Sequence, residues 1–286
     1  MRTLVVFGPR HHPDSRRGAF TLVELLAVIG IIAVLAMTLG TVMAKSGGKA
    51  GRTTCFNNKR QMQAACAMYS AEWNDWLPAT AVIGSAFGWY NGNGTVTWGA
   101  SDANTNPAYY TAGCIWPYFR ELKVFKCPND KIPSANGERI RSISMSGAIC
   151  GDVPISIRAN IQSMMGGWRI YSKTADLTVP GPANTWIFCD ESMYSLNDGY
   201  LQCNVVPVGT QSYPDVPAAY DVGGNCFTFA DAHVEYRKWV YHTKNADTGL
   251  LNTPYAYNQI GTGNPAMRSD GFDPDWKWLR EHTSAP

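Results

Sequence analysis

Charge is scarce in this chain, and its two signs nearly cancel. Lys and Arg number 24 against 22 Asp and Glu, 16% of residues are charged, and the formal net charge is +2. A nucleic-acid-binding domain would be distinctly basic, so no nucleic acid is expected among the partners. Signatures of catalysis are missing as well: the sequence has no Ser-His-Asp order, nucleophile elbow, HExxH or phosphate loop, and an enzyme is not expected. His11 and His12 are merely adjacent, within a basic opening segment. Cysteine, by contrast, is plentiful. Eight residues, an even number, suit an oxidising compartment better than the cytosol.

One stretch is nearly free of charge. From Phe20 to Ala44 the residues are apolar or small, and Glu24 is the single charge among them. A helix of that length is roughly 37 Å long, enough to cross a hydrocarbon core of about 30 Å. A carboxylate inside a spanning helix costs roughly 2.5–3.5 kcal/mol, so Glu24 needs a partner. A secretory signal peptide would have a shorter apolar core with its cleavage site at the far end. A plain signal anchor would explain the length and the preceding Arg16 and Arg17, but not Phe20-Thr21-Leu22-Val23-Glu24.

Arg16-Arg17-Gly18-Ala19 followed by Phe20-Thr21-Leu22-Val23-Glu24-Leu25-Leu26 resembles the amino-terminal signal of type IV prepilins and type II secretion pseudopilins. The resemblance implies cleavage between Ala19 and Phe20 by a prepilin peptidase, and methylation of the new amine. It also implies pairing of Glu24 with the free amino terminus of a neighbouring pilin or pseudopilin subunit. Gly18 stands one place earlier than the Gly usual before the cut, and Ala19 takes that position. The implied localisation is a single pass through inner-membrane lipid with the remainder in the periplasm, and a filament after assembly. Arg10, Arg16 and Arg17 before the run agree with a cytoplasmic start, whereas Lys45, Lys49 and Arg52 beyond it weaken that bias.

The organisation follows: a leader over 1–19, a membrane and filament-core helix over 20–44, an amphipathic continuation over 45–74, and a globular head over 75–286. The fold class expected is α+β, a long hydrophobic amino-terminal helix packed on an antiparallel β-rich head. Three glycines within Lys45–Gly51 each cost about 1 kcal/mol against Ala, which predicts a weakened segment or a break. Cys55, Met62, Cys66, Tyr69 and Trp73 then form one helical stripe for the head to pack on. Ile115–Leu122 reads as a short helix, Ile140–Ile149 as a half-buried strand and Trp186–Cys189 as a further strand. Cys226–Ala230 and His233–Arg237 flank Asp231-Ala232, read as a two-residue hairpin turn. That pairing sets Phe227, Phe229, Val234 and Tyr236 inward on one face.

Cys55-Phe56-Asn57-Asn58-Lys59-Arg60-Gln61, Val124-Phe125-Lys126-Cys127-Pro128-Asn129-Asp130 and Phe229-Ala230-Asp231-Ala232-His233-Val234-Glu235 resemble short motifs of a large pilin-like family common in planctomycetes and verrucomicrobia. That family carries an H-X9-DG carboxy-terminal motif. Here Asp221 stands where the motif has His, and Ala232 where it has Gly, at a turn that needs positive φ. The resemblance implies a Cys55–Cys127 disulfide, since both lie in the shared motifs.

Asp190, Asp231, His233 and Glu235 are the residues a site beside the hairpin would use as acid–base groups or metal ligands; at a turn they read first as solvated. Asp270, Asp273 and Asp275 in the tail offer hard oxygen ligands for Ca²⁺, a site also suggested by the calcium-carrying pseudopilins. The function read from these features is a pilin-like structural subunit. The second reading is a membrane-anchored glycan-binding protein, whose stacking faces would come from ten Trp and fourteen Tyr.

Overall fold

The computed structural model describes residues 21–80, 88–90, 99–193, 195–203, 205, 214–221, 223–240 and 274–286, without the side chains of 38–49. The chain divides into two compact units, Met1–Ser46 and Gly47–Pro286.

In the first unit the helix α1 (Leu22–Glu72) begins with a reciprocal cap. The Glu24 amide donates to Thr21 Oγ1 at 3.3 Å, and Glu24 Oε2 accepts from the Thr21 amide and hydroxyl, both at 2.8 Å. This is a capping box, Thr followed three residues later by Glu, and it satisfies donors that a helix start leaves open. The large apolar side chains from Leu22 to Met37 are exposed. Among the described residues no helix is long and apolar enough to cross a membrane. The described apolar side chains cover 22–37, about 24 Å of helix against about 30 Å of hydrocarbon. The expected span over 20–44 is therefore not met by the described part.

The glycines do not break α1, so of the two expected outcomes the break is not realised: the helix is continuous from Leu22 to Glu72. At Gly51 the missing side chain has a use, because a Cβ there would lie 1.9 Å from Asn129 Oδ1. In the second unit Cys55, Met62, Cys66 and Tyr69 of the stripe are buried, and Trp73 is exposed while stacking on Tyr69.

Among the described residues the head has five strands: β1 (Ile143–Ser146), β2 (Trp186–Asp190), β3 (Tyr200–Leu201), β4 (Gly224–Phe229) and β5 (Val234–Lys238). Their order is β3-β1-β2-β4-β5. Three pairs are antiparallel and β1–β3 is parallel, so the sheet is mixed rather than antiparallel throughout. The parallel edge is possible because the chain leaves β1, forms β2 and only later returns on the other side of β1 as β3. Short helices α2 (Asp102–Thr105) and α3 (Ala108–Thr111), then α4 (Ile155–Met164) and α5 (Pro274–Glu281), complete the set.

Three expectations shift. The 115–122 helix is instead two 3₁₀ turns, Trp116–Tyr118 and Leu122–Phe125, with Pro117 in the first and Arg120 at φ 50° between them. The strand at 140–149 shrinks to β1 and is buried on both faces; Ser144 within it and Ser142 just before it donate to the Glu191 and Asp190 carboxyl groups. The hairpin slips by one residue. Thr228 pairs with Val234, Phe227 with Glu235 and Cys226 with Tyr236, while the Phe229 amide donates to the His233 carbonyl. The loop is therefore three residues, Ala230-Asp231-Ala232, with Ala232 at φ 73°, the left-handed position of a three-residue hairpin. A one-residue slip exchanges faces. Phe227 and Phe229 enter the main core, whereas Val234 and Tyr236 join Cys226 on the opposite face.

Candidate functional site

That opposite face of β4 meets α1 around a buried polar cluster. Cys55 and Lys59 stand one turn apart on α1, Cys127 follows the second 3₁₀ turn, Asp190 ends β2, and Asp221 and Cys226 flank the start of β4. The ligand atoms of Cys55, Cys127, Asp190 and Asp221 all lie within 4.8 Å of one another, and all four residues are buried. Lys59, fully buried, donates to Cys55 Sγ at 3.0 Å and forms an ion pair with Asp190 Oδ2. Cys55 Sγ donates to the same oxygen at 3.3 Å, and Ser142 Oγ donates to Asp190 Oδ1 at 3.0 Å. Asp221 accepts from Cys226 Sγ at 3.0 Å and from Asn129 Nδ2 at 2.5 Å. Tyr236, its ring under Arg52, donates its hydroxyl to the Asp221 carbonyl at 2.8 Å.

The electrostatics follow from one cation among several acids. Burial opposes the charge on Lys59, but the Asp190 carboxylate and the surrounding sulfurs outweigh it and hold the ammonium well above its usual range. Hydrogen bonds with Cys127 and Cys226, helped by Lys59, hold the Cys55 thiol well below the ordinary value. Burial pushes Asp190 and Asp221 up, and the Cys55 sulfur adds to both.

The sequence-predicted residues scatter differently from expectation. Asp190 and Asp221 join the buried cluster, so the site beside the hairpin tip is not assembled. Asp231, Ala232 and His233 form the exposed tip, with His233 Nδ1 2.6 Å from Asp231 Oδ1, and Glu235 points away on β5. Cys55 and Cys127 are brought together but are not bonded, since all eight cysteines are free thiols in the structure. Three sulfurs share this space, and Cys55 is already held by Lys59 and Asp190. Gly18, Ala19 and Phe20 lie outside the described residues, as do Asp270 and Asp273. Asp275, buried in the first turn of α5, accepts from the Val240 amide with both oxygens at 2.9 Å, with Arg237 Nη2 at 3.8 Å. Trp89, Trp186, Trp239 and Trp276 are buried in the core, which removes them as stacking faces for a glycan.

Lys59, Cys226 and Ser142 were not singled out from sequence. For Lys59 the signal was present: positions 55, 59, 62, 66 and 69 alternate spacings of four and three, and Lys59 fills the slot between Cys55 and Met62.

Residues 14–40 match the model of the prokaryotic N-terminal methylation motif. The amino terminus is thus of prepilin type, and the match covers this segment alone. Searches of curated proteins and of solved structures find no match to the chain.

Proposed function

We propose that this protein is a pilin-like subunit, cut by a prepilin peptidase between Ala19 and Phe20, held in the inner membrane by its amino-terminal helix, and assembled with like subunits into a filament of a type II secretion or type IV pilus-like system. The observation that carries the reading is the methylation motif over residues 14–40. A continuous 51-residue helix beginning within that motif, with its apolar side chains exposed from Leu22 to Met37, supports it. Exposed apolar residues on a helix of this kind need lipid or other helices around them.

Glu24 has two roles in this scheme. In the single chain it caps its own helix through Thr21. In the filament it pairs with the methylated amine of a neighbour's Phe20, an exchange favoured in hydrocarbon because each charge alone is costly there. The test is mass spectrometry of the membrane-extracted protein. A methylated Phe20 terminus is expected, and Glu24→Ala should still be cut while failing to enter filaments. An intact Met1, or a terminus beyond Ala44, would remove the proposal.

A further inference from the structure

The buried cluster on the sheet face behind α1 is a better built site than its hydrogen bonds alone require. Four side chains reach it from four separate parts of the chain, and each presents one ligand atom: Cys55, Cys127, Asp190 and Asp221. From this convergence we infer a structural zinc site that fastens the head-side part of α1 to β2, to the segment after the second 3₁₀ turn and to the segment leading into β4. It is independent of the filament reading, and every ligand lies within the unit Gly47–Pro286.

The donor chemistry selects the metal. Two thiolates and two carboxylates are a soft-and-hard set that Zn²⁺ accepts in a tetrahedron, whereas Ca²⁺ and Mg²⁺ require six or more oxygens. Zinc bonds of about 2.3 Å to sulfur and 2.0–2.2 Å to oxygen give tetrahedral edges of roughly 3.3–3.8 Å. Ligand atoms already within 4.8 Å need contract by about an ångström at the widest pair. No backbone rearrangement is implied by a change of that size.

Hydrogen-bond donors already surround these four side chains. Lys59 donates to the Cys55 sulfur, Ser142 to Asp190, and Asn129 to Asp221. Such donors orient ligands and fix their charge. Charge balance works with them: two thiolates and two carboxylates carry four negative charges, Zn²⁺ removes two, and the Lys59 ammonium removes another. On binding, every proton carried by the four ligand groups passes to solvent, and the Cys55 contact with Asp190 is replaced by coordination of both atoms. Lys59 keeps its contact with sulfur and leaves Asp190 Oδ2 to the metal. Cys226, 3.0 Å from Asp221 Oδ2, remains the donor to that carboxylate.

The full chain, purified in detergent with its thiols reduced and without chelator, should hold about one zinc per chain. Replacement by Co²⁺ should give the visible bands of a tetrahedral ion with sulfur ligands. Cys127→Ser should abolish the sulfur-to-cobalt band at that site or shift it, and Asp221→Asn, which leaves the Lys59–Asp190 pair intact, should weaken zinc at least tenfold. Cys114→Ser, outside the cluster, should change neither. Absence of stoichiometric zinc together with no cobalt spectrum in the reduced wild-type chain would overturn the site. So would a cobalt spectrum unaltered in both Cys127→Ser and Asp221→Asn, or a Cys55–Cys127 disulfide in protein taken from its own membranes.

Discussion

At the scale of single residues, specific donors hold the buried Glu191 and the half-buried Asp215 of the head. Glu191 accepts from Ser144 at 2.5 Å and from Ser195 at 2.8 Å, and Asp215 accepts from the Gln202 amide at 2.6 Å. Burial pushes Asp215 up to about 7, and burial with the nearby Asp215 pushes Glu191 well above the carboxylate range. A raised folded-state value means that the native chain holds a proton the unfolded chain has lost. This contribution is therefore complete below about pH 4 and is lost as pH rises through 7. Thermal midpoints should fall as pH rises from about 4 to 7, and Asp215→Asn should flatten the decline by up to about 1.4 kcal/mol per pH unit. A melting series across that range checks it; an unchanged slope in the variant would show that Asp215 is not the titrating group.

At the scale of elements, the hairpin β4–β5 decides which side chains reach the cluster. Its three-residue loop places Ala232 at φ 73°, where an L residue with a Cβ is strained by roughly 1–2 kcal/mol. Ala232→Gly should stabilise the chain by about 1 kcal/mol and raise the melting temperature by about 2–4 °C. Differential scanning calorimetry reads this directly, and no gain would mean that the strain is relieved elsewhere. The strain at this position was legible from sequence, because the Ala stands at a turn centre between two alternating strands. The loop length was not. Two- and three-residue loops differ by one register step, and the choice depends on which face of the hairpin Val234 and Tyr236 must join.

At the scale of the whole molecule, the two units have opposite surfaces. The first exposes its apolar side chains from Leu22 to Met37, and the second buries a large core that includes Trp89, Phe125, Trp186 and Phe227. A chain beginning at Gly47 should therefore stay monomeric in buffer without detergent and unfold cooperatively, whereas the full chain should need detergent. Size-exclusion chromatography with thermal unfolding distinguishes them. Aggregation of the shorter chain would mean that the second unit depends on residues before Gly47.

The sequence by itself determined the amino-terminal chemistry, because it is written in contiguous residues: a Phe-Thr-Leu-Val-Glu run after paired arginines, followed by a helix-length apolar stretch. It also determined the buried stripe of α1, since a helix converts spacing of three and four into one face. The cluster of Cys55, Lys59, Cys127, Asp190 and Asp221 was decided only by the tertiary structure. Its members lie up to 166 positions apart along the chain, and no local period links them. Their meeting depends on the topology that sets β2 beside β4 with Cys226 on the face toward α1, while the hairpin register brings Val234 and Tyr236 to that same face.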